Sequence, residues 1–368
     1  MNRRDFIKTG ALAAAAAMTS DSLFAANPEE IKAVLLHLGH NMWCEWLPQD
    51  LQGTLDLGKS QPDAELRCKD EIWRDLTDYA AAKKLNMVMI DVGEGLVFPS
   101  HPELAIKGSW SPDKLRAEVR RLKAMGLEPI PKLNFSATHD GWLKDYHRML
   151  TTPAYYAMQR EVIRDVWEVF EHPRFFHLGF DEEAAGWIGK RNYFVIRQGE
   201  LWWHDMLYAV KCVEDLGCRA WIWSDYGWHH PDFLTRCPKS VLLSDWYYDE
   251  CLGGFDINNY VAKNNGHKER LQQFHDLEKA GFEQVPCGTN WIGHARRAKN
   301  IGAEDVIGKL VKLGREVIAP ERLKGFLMAP WAACDTEDNR ALNRRGIDLF
   351  ADALAGVIHE PGPCTPKS

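Results

Sequence analysis

The chain has 368 residues, 45% of them hydrophobic, which is enough apolar material for a large buried core. Its net charge of −7, with no basic run beyond the N-terminus, argues against a nucleic-acid partner. The nine cysteines include no Cys-x-x-Cys pair, which argues against a zinc ribbon or redox motif, and their odd number leaves at least one thiol free in a monomer.

At the N-terminus, Asn2-Arg3-Arg4-Asp5-Phe6-Ile7-Lys8 precedes an alanine-rich apolar run over 11–18, with Ala25 and Ala26 offering a small-residue cleavage site. This order of charge, apolar run and small residues reads as a twin-arginine export signal. The run is too short to span a bilayer as a permanent anchor. Residues 1–26 are therefore set apart from the fold, and 27–368 are expected to form one domain. The protein is expected in the periplasm or outside the cell. A chain exported folded brings reduced thiols into an oxidising compartment, and spacing alone assigns no bridge.

Beyond residue 30, apolar runs and amphipathic stretches alternate regularly. Strands are expected over 31–38, 86–92, 127–134, 174–181, 219–224, 240–246, 283–289 and 324–331. Helices are expected over 70–84, 111–125, 154–170, 193–216, 268–280, 303–318 and 339–358. Ser111-Pro112-Asp113 supplies a side-chain cap, a first-turn proline and an acid at the positive helix end, and Gly126 supplies a stop. Pro129 and Pro131 suit strand ends or bulges. Eight strands alternating with helices predict a single closed (β/α)8 TIM barrel. An open doubly wound sheet would want Gly-x-Gly-x-x-Gly after the first strand, where the chain reads Leu38-Gly39-His40-Asn41-Met42-Trp43.

The fourth strand organises the rest. Arg174-Phe175-Phe176-His177-Leu178-Gly179-Phe180 is apolar and aromatic, and Asp181-Glu182-Glu183 follows directly. A buried strand cannot hold consecutive ionised acids, so the chain is expected to surface at Asp181. Paired carboxylates at a strand end are what general acid and electrostatic catalysis need. Gly179 marks a close approach of a ligand or another backbone, and His177 needs a polar partner.

In a barrel the active residues gather at the C-terminal strand ends. Those ends offer His37, His40 and Asn41; Asp91 and Glu94; Asn134, His139 and Asp140; Asp181, Glu182 and Glu183; Trp223 and Asp225; Asp245, Trp246, Tyr247 and Tyr248; Asn290 and Trp291; Trp331 and Asp335. Acids with aromatics are the composition of a sugar site, carboxylates for protonation and indoles for the ring faces. The 15 tryptophans point the same way, beside their use in core packing. No metal or cofactor motif is present in this set.

His177-Leu178-Gly179-Phe180-Asp181-Glu182 resembles the His-x-Gly-x-Asp-Glu motif of family 20 glycoside hydrolases, the β-N-acetylhexosaminidases. Ser109-Trp110-Ser111-Pro112-Asp113-Lys114-Leu115 with Gly126-Leu127-Glu128-Pro129-Ile130-Pro131 is similar to that family's second-helix to third-strand passage. Trp223-Ser224-Asp225 is similar to its Trp-x-Asp, and Gly325-Phe326-Leu327-Met328-Ala329-Pro330-Trp331 to its eighth strand. The resemblance covers about 31–335 and is nearest to the compact, hexosaminidase D-like branch. The first strand lacks the family's sugar-gripping arginine, the third lacks its Pro-Gly-His turn, and Phe180 stands where a second glycine is common.

The resemblance implies hydrolysis of a 2-acetamido sugar with retention and substrate assistance. Glu182 would be general acid and base, and Asp181 would orient the acetamido N–H. Asp225 with Tyr247 or Tyr248 would steady the cyclised cation, and Trp223, Trp246, Trp291 and Trp331 would wall the pocket, with His139 and Asp140 also contacting substrate. The implied partner is an oligosaccharide or glycoconjugate. Two alternatives remain on the same barrel: a two-carboxylate glycosidase of non-acetamido sugars, and a catalytically silent carbohydrate-binding barrel. A metal-dependent amidohydrolase wants His-x-His on the first strand, and His37-Leu38-Gly39-His40 puts the rings out of that register.

Overall fold

A computed structural model describes residues 30–47, 51, 53, 57–183, 197–248, 268–291 and 306–359. The expected export signal lies outside the described residues. Eight parallel strands appear in chain order: β1 Ile31–His37, β2 Met87–Asp91, β3 Glu128–Lys132, β4 Phe175–His177, β5 Arg219–Trp223, β6 Leu242–Ser244, β7 Cys287–Gly288 and β8 Gly325–Met328. They pair in the order β6-β5-β4-β3-β2-β1-β8-β7. Single bridges Leu243↔Gln284 and Trp246↔Cys287 join β6 to β7 and close the ring. The fold is a (β/α)8 TIM barrel.

The outer layer is α1 Asp70–Ala82, α2 Pro112–Ala124, α3 Pro153–Val169, α4 Glu200–Glu214, α5 Phe233–Arg236, α6 Lys268–Lys279, α7 Val306–Val317 and α8 Glu337–Leu354. The caps act as their chemistry requires: Ser111 accepts from Lys114 N, Thr152 from Tyr155 N, and Thr336 from Asn339 N. The one-turn α5 falls where no helix was expected. Helix α4 begins at Glu200, after Gly199 at φ 57°, and not at 193; positions 193–196 lie outside the described residues. No helix among the described residues is long and apolar enough to cross a membrane.

Every strand is covered on both faces, which is why the strands read as apolar runs without alternation. Ile31, Ala33, Leu35, Met87, Met89, Ile130, Phe175, Trp221, Leu242 and Leu327 fill the barrel interior. Residues of opposite parity, such as Val34, Leu36, Val88 and Ile222, pack against the helices. Pro129 and Pro131 lie inside β3, not at its ends. Glu128 N donates to Asn86 O and Leu133 N to His177 O, so amides at odd positions of β3 face β4. Both prolines therefore delete donors toward β4 only, and the β3–β4 ladder is reduced to Lys132↔His177.

Candidate active site

One layer above the apolar interior the barrel turns polar. His37, Asp91, Lys132 and His177 are register neighbours across β1 to β4, all essentially buried. Lys132 Nζ reaches Asp91 Oδ2 at 2.5 Å, and His37 Nδ1 lies 3.4 Å from the same oxygen. Burial, aided by His40 and Lys132, pushes the His37 ring well below its usual pKa. Burial and Lys132 do the same to His177. Burial thus favours the neutral form of both rings, and the side chain nearest Asp91 is Lys132.

From this floor β4 rises into three left-handed residues, Gly179 at φ 77°, Phe180 at 69° and Glu182 at 58°. Glycine is required at 179 because a Cβ there would stand 1.9 Å from Asn134 Oδ1. His177 finds its polar partner here too, accepting from Gly179 N at 3.1 Å through Nδ1. The twisted backbone sends the three acids to three places.

Asp181 Oδ1 accepts from Asn134 Nδ2 at 2.9 Å, and its backbone oxygen accepts from the hydroxyls of Ser136 and Thr138. The segment after β3 thus holds the end of β4. Glu182 points to His139, Oε2 to Nε2 3.3 Å, and its amide donates to Asp225 Oδ2 at 2.8 Å. Glu183 turns away into the layer behind the barrel. There Arg197 grips it at 2.8 and 3.1 Å and also bonds Asp205 at 2.9 Å. That buried ion pair makes Glu183 a structural acid.

Electrostatics separate the acids at the mouth from ordinary carboxylates. Burial raises the Glu182 carboxyl above its usual range, against the opposing hydrogen bond of His139. Burial, with the neighbouring charges of Asp181 and Glu182, pushes Asp225 up to about 8. Burial also lifts Glu94 to about 7, but its Oε1 is used by the amides of His40 and Asn41, which fixes the turn after β1.

Aromatic rings encircle the mouth. His139 touches Trp43 at 6.2 Å, Trp43 touches Trp331 at 6.0 Å, and Trp331 touches Trp223 at 5.9 Å and Tyr248 at 6.4 Å. Tyr248 stacks on Trp246 at 4.8 Å, and Trp246 meets Trp228 at 4.6 Å. The Arg270 guanidinium lies over both Trp228 and Trp246, at 4.4 and 4.6 Å from their rings. Its charge opposes the upward shift of Glu182. On the β8–β1 side, Arg67 bonds Asp335 at 2.7 Å and contacts His40 at 3.3 Å.

The structure brings together Asp181, Glu182, His139, Trp223, Asp225, Trp246, Tyr248 and Trp331. Two other expected residues stand apart, and a third lies exposed after β7. Asp140 heads a 3-10 helix, Gly141–Arg148, and is buried beside His147 Nδ1 at 3.2 Å. Tyr247 is buried in the core between strands and helices. Trp291 is 36% exposed. Sequence reading missed Trp43, Arg67, Trp228 and Arg270. Trp43 lies in the segment after β1, where a search for aromatics following a strand end would have found it.

Residues 1–20 match the model of the TAT (twin-arginine translocation) pathway signal sequence, so the chain carries a signal for export to the periplasm or beyond. No curated protein matches the sequence. Solved structures do match the fold. One is the β-N-acetylhexosaminidase of Bacteroides fragilis, at 13% identity and TM-score 0.57, covering 91% of this chain and 67% of that one. Another is the GH20 β-N-acetylhexosaminidase of Streptomyces coelicolor, at 13% identity and TM-score 0.54, covering 86% and 63%. Dispersin B matches at 14% identity and TM-score 0.53, covering 79% and 95%. The chain therefore spans about two thirds of the first two proteins and shares its barrel with all three.

Proposed function

We propose that this protein is an exported glycoside hydrolase that removes a 2-acetamido sugar by substrate-assisted, retaining hydrolysis. The observation that carries the reading is the pair at the end of β4. Asp181 is anchored through one carboxylate oxygen by Asn134, and Glu182 is half-buried, raised in pKa and oriented by His139. A raised carboxyl is what a general acid needs near neutral pH. The named activity of the structural neighbours is consistent with it.

On this reading Glu182 protonates the glycosidic oxygen as the bond to the anomeric carbon breaks. Asp181 Oδ2 accepts the acetamido N–H, and the acetamido oxygen attacks the anomeric carbon in place of a protein nucleophile. Glu182, now ionised, takes a proton from the water that opens the ring. Tyr248 and Asp225 lie beside the developing charge. Trp223, Trp246 and Trp331 offer apolar faces to the sugar and its acetamido group.

A second reading, a two-carboxylate glycosidase, is favoured by one observation: a second carboxyl, Asp225, stands beside Glu182 and accepts its backbone amide at 2.8 Å. Aryl glycosides with and without the acetamido group separate the two. Substrate assistance predicts cleavage of the acetamido sugars only, with Glu182→Gln slower by ~10²–10⁴-fold. Equal cleavage of both sets would overturn it in favour of the second reading.

A further inference from the structure

The loop before α1 and the loop after β8 run side by side at the barrel mouth. Cys68 and Cys334 are partners in a parallel bridge there, flanked by backbone bonds from Lys69 N to Cys334 O at 2.8 Å and from Cys334 N to Arg67 O at 3.2 Å. Bridged backbones lie about 4.8 Å apart and present opposed side chains on one face. That separation falls within the range that a disulfide spans. The two thiols are within hydrogen-bonding reach: the bond that the Cys68 thiol donates to Cys334, together with burial, holds Cys68 well above its usual pKa. No other bridge among the described residues joins two cysteines. Both are reduced as they stand, and the chain bears a signal that sends it to an oxidising compartment.

The geometry points to a Cys68–Cys334 disulfide, formed after export, that staples the first loop of the barrel to the last. It does not depend on the proposed function. The oxidant belongs to the class of disulfide donors, a periplasmic thiol–disulfide oxidoreductase or a small-molecule disulfide. Cys68 keeps 8% exposure while Cys334 is fully buried, so Cys68 is the sulfur that a donor reaches, and it gives up its proton as it attacks. One donor sulfur leaves as a thiol, and a mixed disulfide forms on Cys68. The Cys334 thiolate then attacks Cys68 Sγ and expels the second donor sulfur. Two protons and two electrons have left the chain, and the donor carries both. The staple adjoins the Arg67–Asp335 pair on each side and fixes that wall of the mouth covalently.

The test uses the full chain exported with its own signal and purified without reductant. After alkylation under denaturing conditions, peptide mapping should recover the Cys68 and Cys334 peptides linked, with a mass two hydrogen atoms below the reduced pair. Reductant should lower the melting temperature of this protein by several degrees and leave Cys68→Ser and Cys334→Ala unmoved. Recovery of both peptides singly alkylated from protein treated with diamide would overturn the assignment, whatever the variants do.

Discussion

The imidazole of His139 meets the carboxylate of Glu182 at 3.3 Å, Nε2 to Oε2, while its other nitrogen lies 2.8 Å from the Thr138 hydroxyl. Burial raises Glu182 and this contact pulls it down. Removing the ring in His139→Leu therefore raises Glu182 further. If Glu182 is the acid, the alkaline limb of the kcat/KM profile belongs to it, and the limb should move to higher pH while the maximum falls. A pH–rate profile of both proteins checks this. An unmoved limb would assign the titration to another group.

Tyr248 and Tyr247 are adjacent in sequence and face opposite sides of the sheet. Tyr248 is half-buried against Trp246 and Trp331, and Tyr247 is sealed in the outer core. Tyr248→Phe should lower kcat by ~10²-fold, the size of a lost polar group that orients and stabilises the reacting acetamido group. Tyr247→Phe should leave kcat within experimental error. The reverse order would place the wrong tyrosine at the mouth.

Trp331 packs on His37, Trp43, Trp223 and Tyr248 but stays partly exposed. Trp331→Ala should weaken binding of substrate or of a thiazoline inhibitor and leave the melting temperature nearly unchanged. Calorimetric titration beside a thermal melt reads both. Unchanged binding with a large loss of stability would make this indole core.

Arg197 is the cation for two buried acids, Glu183 and Asp205. Arg197→Met strips both and should cost about 3–5 kcal/mol in urea melts, as breaking a buried pair does. Arg197→Met with Glu183→Leu should recover part of that loss. Equal stability of wild type and Arg197→Met would mean that the pair is solvated.

Asp225 gives stability a definite slope with pH. Above about pH 4 an unfolded aspartate has lost its proton. The folded chain keeps the proton to about 8, so unfolding releases it. Stability contributed by this group is therefore lost as pH rises from about 4 to about 8. Asp225→Asn removes the slope, so the difference in unfolding free energy between pH 5 and pH 8 should narrow. An unchanged difference would show that Asp225 is ionised across the range.

The eight-fold alternation was legible because parallel strands buried on both faces write themselves as short apolar runs between amphipathic helices. The caps at Ser111 and the stop at Gly126 were legible for local reasons. The expected surfacing at Asp181 does not occur: the chain leaves the ladder after His177, but Asp181 and Glu183 stay buried, held by Asn134 and Arg197. Strand lengths were overestimated at β6, β7 and β8, because the residues that leave the ladder to build the mouth keep the same apolar character. Lys132 was hidden inside an apolar strand, since its partner Asp91 is fixed only by β2–β3 register. Arg270 sits in the first turn of a polar helix, where nothing in the spacing says that two indoles will receive it. Glu183 and Glu182 are chemically alike, and only the backbone twist between them separates an ion-pair partner from a mouth acid.

That twist reaches beyond this chain's own chemistry. Glu182 is held at φ 58°, a region that glycine and asparagine occupy at little cost and glutamate does not. Selection for foldability alone therefore pushes this position away from glutamate. A descendant barrel that had abandoned its reaction would drift to Gly or Asn here and melt at a higher temperature. Among such barrels, the residue at this one backbone position would separate working members from retired ones.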